Sequence, residues 1–156
     1  EWDLVVCGDG PLRAELETRA ESQGIPPGRI RWLGFLPDMA QVRLAYHSSD
    51  ALVLPSSYEP WALVINEAVA AGLAVVTTTV VGAAAELVRD GENGLRVPPG
   101  DVDALAQALG EVMRPGVAER MGGRGADVLA DWRERADPVA GVRGALAHFG
   151  VIGGAS

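Results

Sequence analysis

Two carboxylates lie in one stretch of the chain at a spacing that suits ligand binding. Glu59 stands in a loop-like segment before a predicted helix, and Glu67 lies inside that helix in an otherwise apolar run. An apolar helix is expected to be buried, and a buried glutamate almost always has polar partners. Paired sugar hydroxyls, such as those of a ribose, would supply hydrogen-bond donors to the carboxylate. The alternatives are that Glu59 is a solvated loop residue and that Glu67 pairs with an arginine.

The residues between the two glutamates offer a place for an anion. Pro60 suits the first turn of a helix, so the predicted helix covers residues 61–71. The backbone amides of Trp61, Ala62 and Leu63 are then donors at the positive end of that helix. A diphosphate is the kind of ligand that such an end binds.

A glycine-rich turn forms a second candidate site. Gly8 and Gly10 flank Asp9 where a predicted strand gives way to a helix, so their backbone amides could face a phosphate. The longer dinucleotide-binding pattern is not complete, because Arg13 occupies the position of its third glycine. A tight turn with a purely structural role is the alternative interpretation.

Short apolar runs alternate with amphipathic helical stretches along the whole chain. The predicted strands cover residues 4–7, 30–33, 51–54, 74–77 and 95–97. The predicted helices cover residues 11–24, 39–46 after a cap at Asp38, 61–71, 82–90 and a stretch capped by Asp101, with later helices broken at Gly122-Gly123 and Pro138. Because the strands are almost continuously apolar, both faces of their sheet should be covered.

This alternation predicts an α/β fold with a doubly wound, parallel, Rossmann-like sheet. Ligands of such folds bind beyond the carboxyl ends of the strands. The loops at residues 8–11, 34–38 and 55–61 are therefore the places to look for a site.

Composition narrows the classes of function. The chain has a formal net charge of −8, and all 13 basic residues are arginine, which argues against a nucleic-acid partner. Cys7 is the only cysteine and there are two histidines, so neither a disulfide framework nor a metal site is expected. No cofactor is expected either.

The single cysteine and the lack of a long apolar run indicate a cytoplasmic location. If the chain is part of a longer enzyme, that enzyme could also associate peripherally with the inner face of the membrane.

The segment from Ser56 to Gly72 resembles the Glu-x7-Glu signature of retaining glycosyltransferases with the GT-B fold, family 4 (group 1). Glu59 and Glu67 take the two glutamate positions, and the resemblance extends over nearly the whole chain. The further matching motifs are Gly8-Asp9-Gly10-Pro11, Leu33-Gly34-Phe35-Leu36-Pro37, Leu54-Pro55-Ser56, Ala71-Gly72-Leu73-Ala74-Val75-Val76, Val81-Gly82, Glu86-Leu87-Val88, Asp90-Gly91-Glu92-Asn93-Gly94, Pro98 and Asp101.

The resemblance implies one donor-binding domain over residues 1–156, equivalent to the C-terminal half of a GT-B enzyme without its first βα unit. Residues 132–156 would form a helical tail. The implied function is transfer of a hexosyl group, with retention, from a nucleoside diphosphate sugar to an acceptor held by an N-terminal domain outside this chain. The chain alone is then expected to be inactive. The alternatives are a sugar-nucleotide epimerase of the same fold and a non-catalytic nucleotide-sugar-binding module.

The resemblance also assigns a role to each candidate residue. Glu59 would be the catalytic residue that contacts the hydroxyls of the transferred sugar. The implied donor-binding residues are Glu67 at the ribose diol, the amides of Trp61, Ala62 and Leu63 at the diphosphate or sugar, Phe35 and Leu36 beside the base, and Gly8 and Gly10 along the cleft. Two departures stand out: Ala62 replaces a glycine that is usual in the family, and the Gly-Arg…Lys element that grips the pyrophosphate would precede residue 1.

An apolar stripe marks the end of the chain. Val139, Val142, Leu146 and Phe149 recur at the spacing of one helix face. An exposed stripe of this kind promotes association, so self-association through residues 139–149 is expected.

Overall fold

A computed structural model of the chain describes residues 2–151. Its strands are β1 (Leu4–Cys7), β2 (Ile30–Gly34), β3 (Ala51–Leu54), β4 (Ala74–Thr78) and β5 (Gly94–Val97). Its helices are α1 (Arg13–Ser22), α2 (Met39–His47), α3 (Leu63–Ala70), α4 (Gly82–Leu87), α5 (Val102–Val112), α6 (Val117–Arg135) and α7 (Pro138–His148). The predicted alternation of strands and helices is confirmed.

The chain divides into two compact units, Glu1–Ser48 and Ser49–Ser156. In the first unit β1 and β2 pair in parallel, with Leu4 opposite Ile30. In the second unit the strand order is β3-β4-β5, and both pairings are again parallel. The predicted α/β class with parallel strands is therefore confirmed, and its strands are hydrogen-bonded in sets of two and three.

The hydrophobic core of the second unit is built around β4. All five residues of this strand are buried, and because successive side chains point to opposite faces, both faces of the strand are covered. The expectation drawn from the apolar strands holds fully here. It does not hold for β3, whose residues are half-buried, or for β1, whose terminal residues Leu4 and Cys7 are exposed.

Local capping explains why several helices begin where the sequence predicts. The Asp38 carboxylate accepts the Ala40 amide at 2.8 Å, and the Asp101 carboxylate accepts the Ala104 amide at 2.8 Å. The end of α4 was predicted too late, because Asn93 stops the helix at Leu87. The buried Asn93 side chain donates to the Leu87 carbonyl at 2.8 Å and accepts the Arg89 amide at 2.7 Å.

The predicted helix break at Gly122-Gly123 is wrong, since α6 runs without interruption through both glycines. A glycine inside a helix costs only about 1 kcal/mol relative to alanine. Gly122 also permits a close contact, because a Cβ atom built there would lie 1.9 Å from the Gly72 carbonyl oxygen. A Cβ atom built on Gly125 would likewise lie close to backbone, 2.9 Å from the Val69 carbonyl oxygen. By contrast, Pro138 does begin a separate helix, as expected.

The C-terminal helix α7 leaves most of its apolar stripe in solvent. Val139, Val142 and Phe149 are exposed, and Leu146 is half-buried. The predicted tail at residues 132–156 comprises the end of α6 and all of α7 in its described part, and residues 152–156 lie outside the described residues. Within residues 2–151, no helix is both long and apolar enough to cross a membrane.

A pair of adjacent alanine substitutions tests the close contact of α6. Gly122→Ala should lower the free energy of unfolding by about 1–3 kcal/mol, because the added methyl group forces backbone atoms apart. Gly123→Ala is the matched control, since a Cβ atom there meets nothing within 4 Å. It should raise stability by up to about 1 kcal/mol. Urea unfolding of both variants measures the difference, and equal effects would contradict the packing described here.

Self-association through residues 139–149 stays a prediction. We expect the wild-type chain to associate as its concentration rises, because the exposed side chains of α7 would become buried. The double variant Leu146→Glu, Phe149→Glu should shift the chain to monomer in sedimentation velocity experiments. A wild type that sediments as a strict monomer at high concentration would contradict the prediction.

Candidate functional site

The loop that carries Glu59 is hydrogen-bonded to the start of α4. The Gly82 amide donates to the Glu59 carbonyl at 3.1 Å, and the Ala83 amide donates to the Trp61 carbonyl at 2.8 Å. Glu59 also forms a parallel bridge with Val81. This approach requires a glycine, because a Cβ atom on Gly82 would lie 2.0 Å from the Pro60 carbonyl oxygen. The motif Val81-Gly82 was visible in the sequence, but its contact with the Glu59 loop was not predicted.

Two threonines hold the chain where it leaves β3. The Thr77 hydroxyl donates to the Leu54 carbonyl at 2.9 Å, and the Thr78 hydroxyl donates to the Ser56 carbonyl at 2.6 Å. Both threonines are buried at the carboxyl end of β4. Sequence reasoning missed this role, although adjacent hydroxyl residues at the end of a buried strand are a signal that could have been used.

The Glu59 side chain turns toward the start of α3. It is half-buried, and its Oε1 atom accepts the Trp61 amide at 3.3 Å. One of the three amides expected to be available for an anion therefore already has an acceptor. The helix starts at Leu63, not at Trp61, so the first-turn amides that have no acceptor within the helix include those of Leu63 and Val64.

Ala62, which caps α3, has a left-handed backbone. Its φ of 76° and ψ of 84° make it the only non-glycine residue with a positive φ among residues 2–151. This conformation delays the start of the helix by two residues relative to the prediction. It also gives a physical reason for the glycine that the family resemblance expects here, since a Cβ atom makes this region costly.

Glu67 lies on the less buried side of α3. Ile65, Ala68 and Val69 form the buried side of the helix. Glu67 is half-buried, and Leu63, one turn earlier, is exposed. The helix was expected to be buried all round, and that expectation is wrong because α3 packs through one side only. The start of α3 and the Glu67 side of the helix thus lie along the same element, directly after the Glu59 loop.

Trp61 connects the start of α3 to α6. Its indole Nε1 donates to the Asn66 Oδ1 atom at 3.1 Å, and its ring lies 6.3 Å from that of Trp132, with the planes tilted by 41°. These contacts fix the indole against α3 and α6, while 36% of the residue stays exposed.

The other candidate residues belong to the first unit. The Gly8 amide donates to the Gly34 carbonyl at 2.8 Å, so the turns after β1 and β2 meet. Phe35, which follows Gly34, is exposed, and Leu36 is half-buried. The Gly10 amide donates to the Asp9 carboxylate at 2.8 Å, so this amide has an acceptor inside its own turn.

Arg13 supports these turns, which sequence reasoning did not foresee. Its guanidinium contacts Glu17 at 2.9 Å and Asp9 at 3.7 Å, and it donates to the Trp32 carbonyl at 3.4 Å. The hydrogen bond with Glu17 raises the pKa of Arg13, so this residue stays cationic.

In the described part of the chain, no cluster of three or more histidine, cysteine or acidic residues could hold a metal ion.

Comparison with known proteins shows the family. The sequence profile of the family described as "Glycosyl transferases group 1" matches residues 1–114. The chain is 35% identical over 113 residues to an exopolysaccharide phosphotransferase of Streptomyces coelicolor, which covers 72% of this chain and 12% of that protein.

Two solved structures show the same fold. The C-terminal domain of a group 1 glycosyl transferase family protein from Francisella tularensis superposes with a TM-score of 0.75 at 28% identity, covering 83% of this chain and 69% of that one. Anabaena HepE in complex with UDP and glucose superposes with a TM-score of 0.67 at 27% identity, covering 85% of this chain and 36% of that one.

The parallel strands, the loops beyond them and these structural neighbours define a Rossmann-like α/β fold, that of the C-terminal half of a GT-B protein. The chain belongs to the group 1 glycosyltransferases. It spans 12% of the length of the Streptomyces coelicolor protein and 34% of the length of the lipopolysaccharide core biosynthesis glycosyltransferase LpsE of Rhizobium meliloti.

The left-handed backbone at Ala62 predicts an unusual effect of glycine. The conformation costs an alanine about 1–2 kcal/mol, and the greater freedom of glycine in the unfolded chain offsets part of that. We expect Ala62→Gly to raise the free energy of unfolding by about 0.5–1 kcal/mol. The control is Ala126→Gly, at an exposed position inside α6, which should lower stability by about 0.5–1 kcal/mol. Thermal unfolding of both variants measures the two signs, and destabilisation by both would contradict the assigned backbone.

Proposed function

We propose that this chain binds a nucleoside diphosphate sugar and takes part in transferring its hexosyl group to an acceptor, with retention of configuration. The observation that carries the proposal is the arrangement of the second unit, in which the Glu59 loop leads through the left-handed Ala62 into α3 and on to Glu67. UDP and glucose in the HepE complex support a nucleoside diphosphate sugar as the ligand class. Membership of the group 1 glycosyltransferases supports transfer as the reaction.

The start of α3 would receive the diphosphate. The amides of the first helical turn point toward the N-terminal end, where the helix dipole favours negative charge. Ala62 and Leu63 are the nearest donors, and the Trp61 amide would join them if its acceptor Glu59 turned to a ligand. Glu67 would accept hydrogen bonds from the ribose diol. In the first unit, Phe35 and Leu36 would border the base, and Gly8 and Gly10 would line the cleft.

The reaction needs charge stabilisation more than covalent chemistry from the protein. The bond between the sugar C1 atom and the diphosphate oxygen breaks, and the diphosphate leaves with its electron pair. The acceptor hydroxyl oxygen forms the new bond to C1, and its proton would pass to the departing diphosphate. Backbone amides at a helix end stabilise that developing charge, and single donors of this kind contribute on the order of 3 kcal/mol to catalysis. Glu59 would hold the sugar hydroxyls so that C1 is correctly placed. The acceptor would be bound by an N-terminal domain of a longer protein, and this chain alone would transfer no sugar.

Two other functions use the same fold. A sugar-nucleotide epimerase would not need Glu59 at the sugar, and a binding module would retain affinity without supporting transfer.

We propose a cytoplasmic location, because a chain with a single cysteine suits a reducing compartment.

Calorimetric titration of this chain with UDP-, GDP- and ADP-sugars tests the proposal. We expect one of these donors to bind, weakly, with a dissociation constant of roughly millimolar or a little better. Glu67→Ala should weaken that binding by about 1–3 kcal/mol through the loss of charged hydrogen bonds. Glu111→Ala, at an exposed position of α5, removes the same charge and should leave the affinity unchanged.

The role of Glu59 is measured in an active protein that contains this chain. Glu59→Ala should lower kcat more than it raises KM, because its contact with the sugar strengthens in the transition state. Wild-type kinetics for both glutamate variants would refute the roles proposed for them. Acceptor-dependent turnover by this chain alone would refute the proposed division between two domains.

A further inference from the structure

Helix α6 lies antiparallel along the full length of α3. Its Gly122 meets the Gly72 carbonyl just beyond the end of α3, and Gly125 meets the carbonyl of Val69 in the last turn. Further along α6, Trp132 meets Trp61 just before α3 begins. The contacts therefore advance along α6 as they go back along α3.

Helix geometry agrees with this arrangement. Gly122 and Trp132 are ten residues apart, which corresponds to about 15 Å along a helix, and the eight residues of α3 span about 12 Å. Gly122, Gly125, Leu129 and Trp132 also recur at helical spacing, so they share one face of α6. Leu129 is buried between the two ends of the contact.

The two ends of this contact differ in kind. At the glycine end, backbone meets backbone, which leaves little freedom for α3 to shift. At the other end the contact is a pair of indoles, and an aromatic pair at this separation and tilt is attractive beyond the area that it buries. Trp132 is half-buried, so its ring forms part of the packing against Trp61.

Trp61 links this contact to the candidate site. Its amide donates to the Glu59 carboxylate, its carbonyl accepts the Ala83 amide, and its indole donates to Asn66. A displacement of the indole would therefore be transmitted to the Glu59 side chain and to the first turn of α3.

We propose that Trp132 is a positioning residue for the donor site, acting through its contact with Trp61 to hold the Glu59 loop and the start of α3 in place. Trp132 is 73 residues from Glu59 in sequence and does not belong to the Glu-x7-Glu segment. The proposal rests on the proposed function for its ligand, and on the contacts of α6 for its mechanism.

The experiment compares Trp132→Ala, Trp132→Leu and Trp132→Phe with Arg133→Ala, a control at the next, exposed position of α6. Two quantities are measured well below the unfolding transition of each variant. Amide hydrogen exchange of Glu59 and of residues 61–63 is followed in the chain without ligand, and affinity for UDP is measured by calorimetry. We expect faster exchange and about two- to tenfold weaker UDP binding in the alanine and leucine variants. Trp132→Phe should keep the exchange rates and the UDP affinity near their wild-type values, and Arg133→Ala should change neither quantity.

The exchange rates and affinities of the variants test the positioning role, and nucleotide-sugar binding by the wild type tests the proposed function. Unchanged exchange at Glu59 and residues 61–63 in Trp132→Ala and Trp132→Leu would overturn the positioning role, whether or not UDP binds. Faster exchange with unchanged UDP affinity would show that the contact does not serve the donor site, which also overturns it. If Trp132→Ala fails to fold, Trp132→Leu decides, because it retains apolar volume without the ring. Absence of binding to any nucleotide sugar by the wild type would instead count against the proposed function, and the exchange data would still test the contact.

Discussion

The position of the Glu59 loop depends on the absence of a side chain at Gly82. Main-chain hydrogen bonds from Gly82 and Ala83 attach this loop to the start of α4, and a Cβ atom at Gly82 would collide with the Pro60 carbonyl. These hydrogen bonds join main-chain atoms, so the Glu59 and Trp61 side chains take no part in attaching the loop to α4. The buried threonine hydroxyls at the end of β4 hold the residues before this loop by donating to their main-chain carbonyls. The candidate site is thus positioned by main-chain atoms and by buried groups.

Helix α3 is located by similar means. Gly122 and Gly125 bring α6 against the carbonyls at its end, and the buried strand β4 lies beneath it. Close contacts of this kind tolerate little displacement, since the interior of a protein is packed as densely as an organic crystal. The left-handed Ala62 then determines where the first helical amides lie. A strained residue at the start of a helix is retained when its surroundings over-determine it, and such residues are common at ligand-binding sites.

Much of this architecture could be predicted from the sequence, because the signals involved are local. The apolar run at residues 74–77 indicates a buried parallel strand, and aspartates before apolar helical stretches indicate caps, as at Asp38 and Asp101. The spacing of Glu59 and Glu67 likewise singled out the segment of interest, and their ligand contacts stay a prediction. The continuity of α6 through Gly122 and the left-handed Ala62 could not be predicted. Each depends on tertiary contacts or a backbone conformation that residue types alone do not reveal.

The paired indoles of Trp61 and Trp132 have an optical consequence. Two aromatic chromophores whose centres lie 6.3 Å apart with planes inclined by 41° couple their electronic transitions. The sign and size of the resulting exciton bands in circular dichroism vary with the mutual orientation of the rings. Because Trp61 adjoins Ala62 and hydrogen-bonds to Glu59, this spectral signature reports on the geometry of the loop itself. The chain therefore contains a native chromophore pair at its candidate site, which needs no attached label.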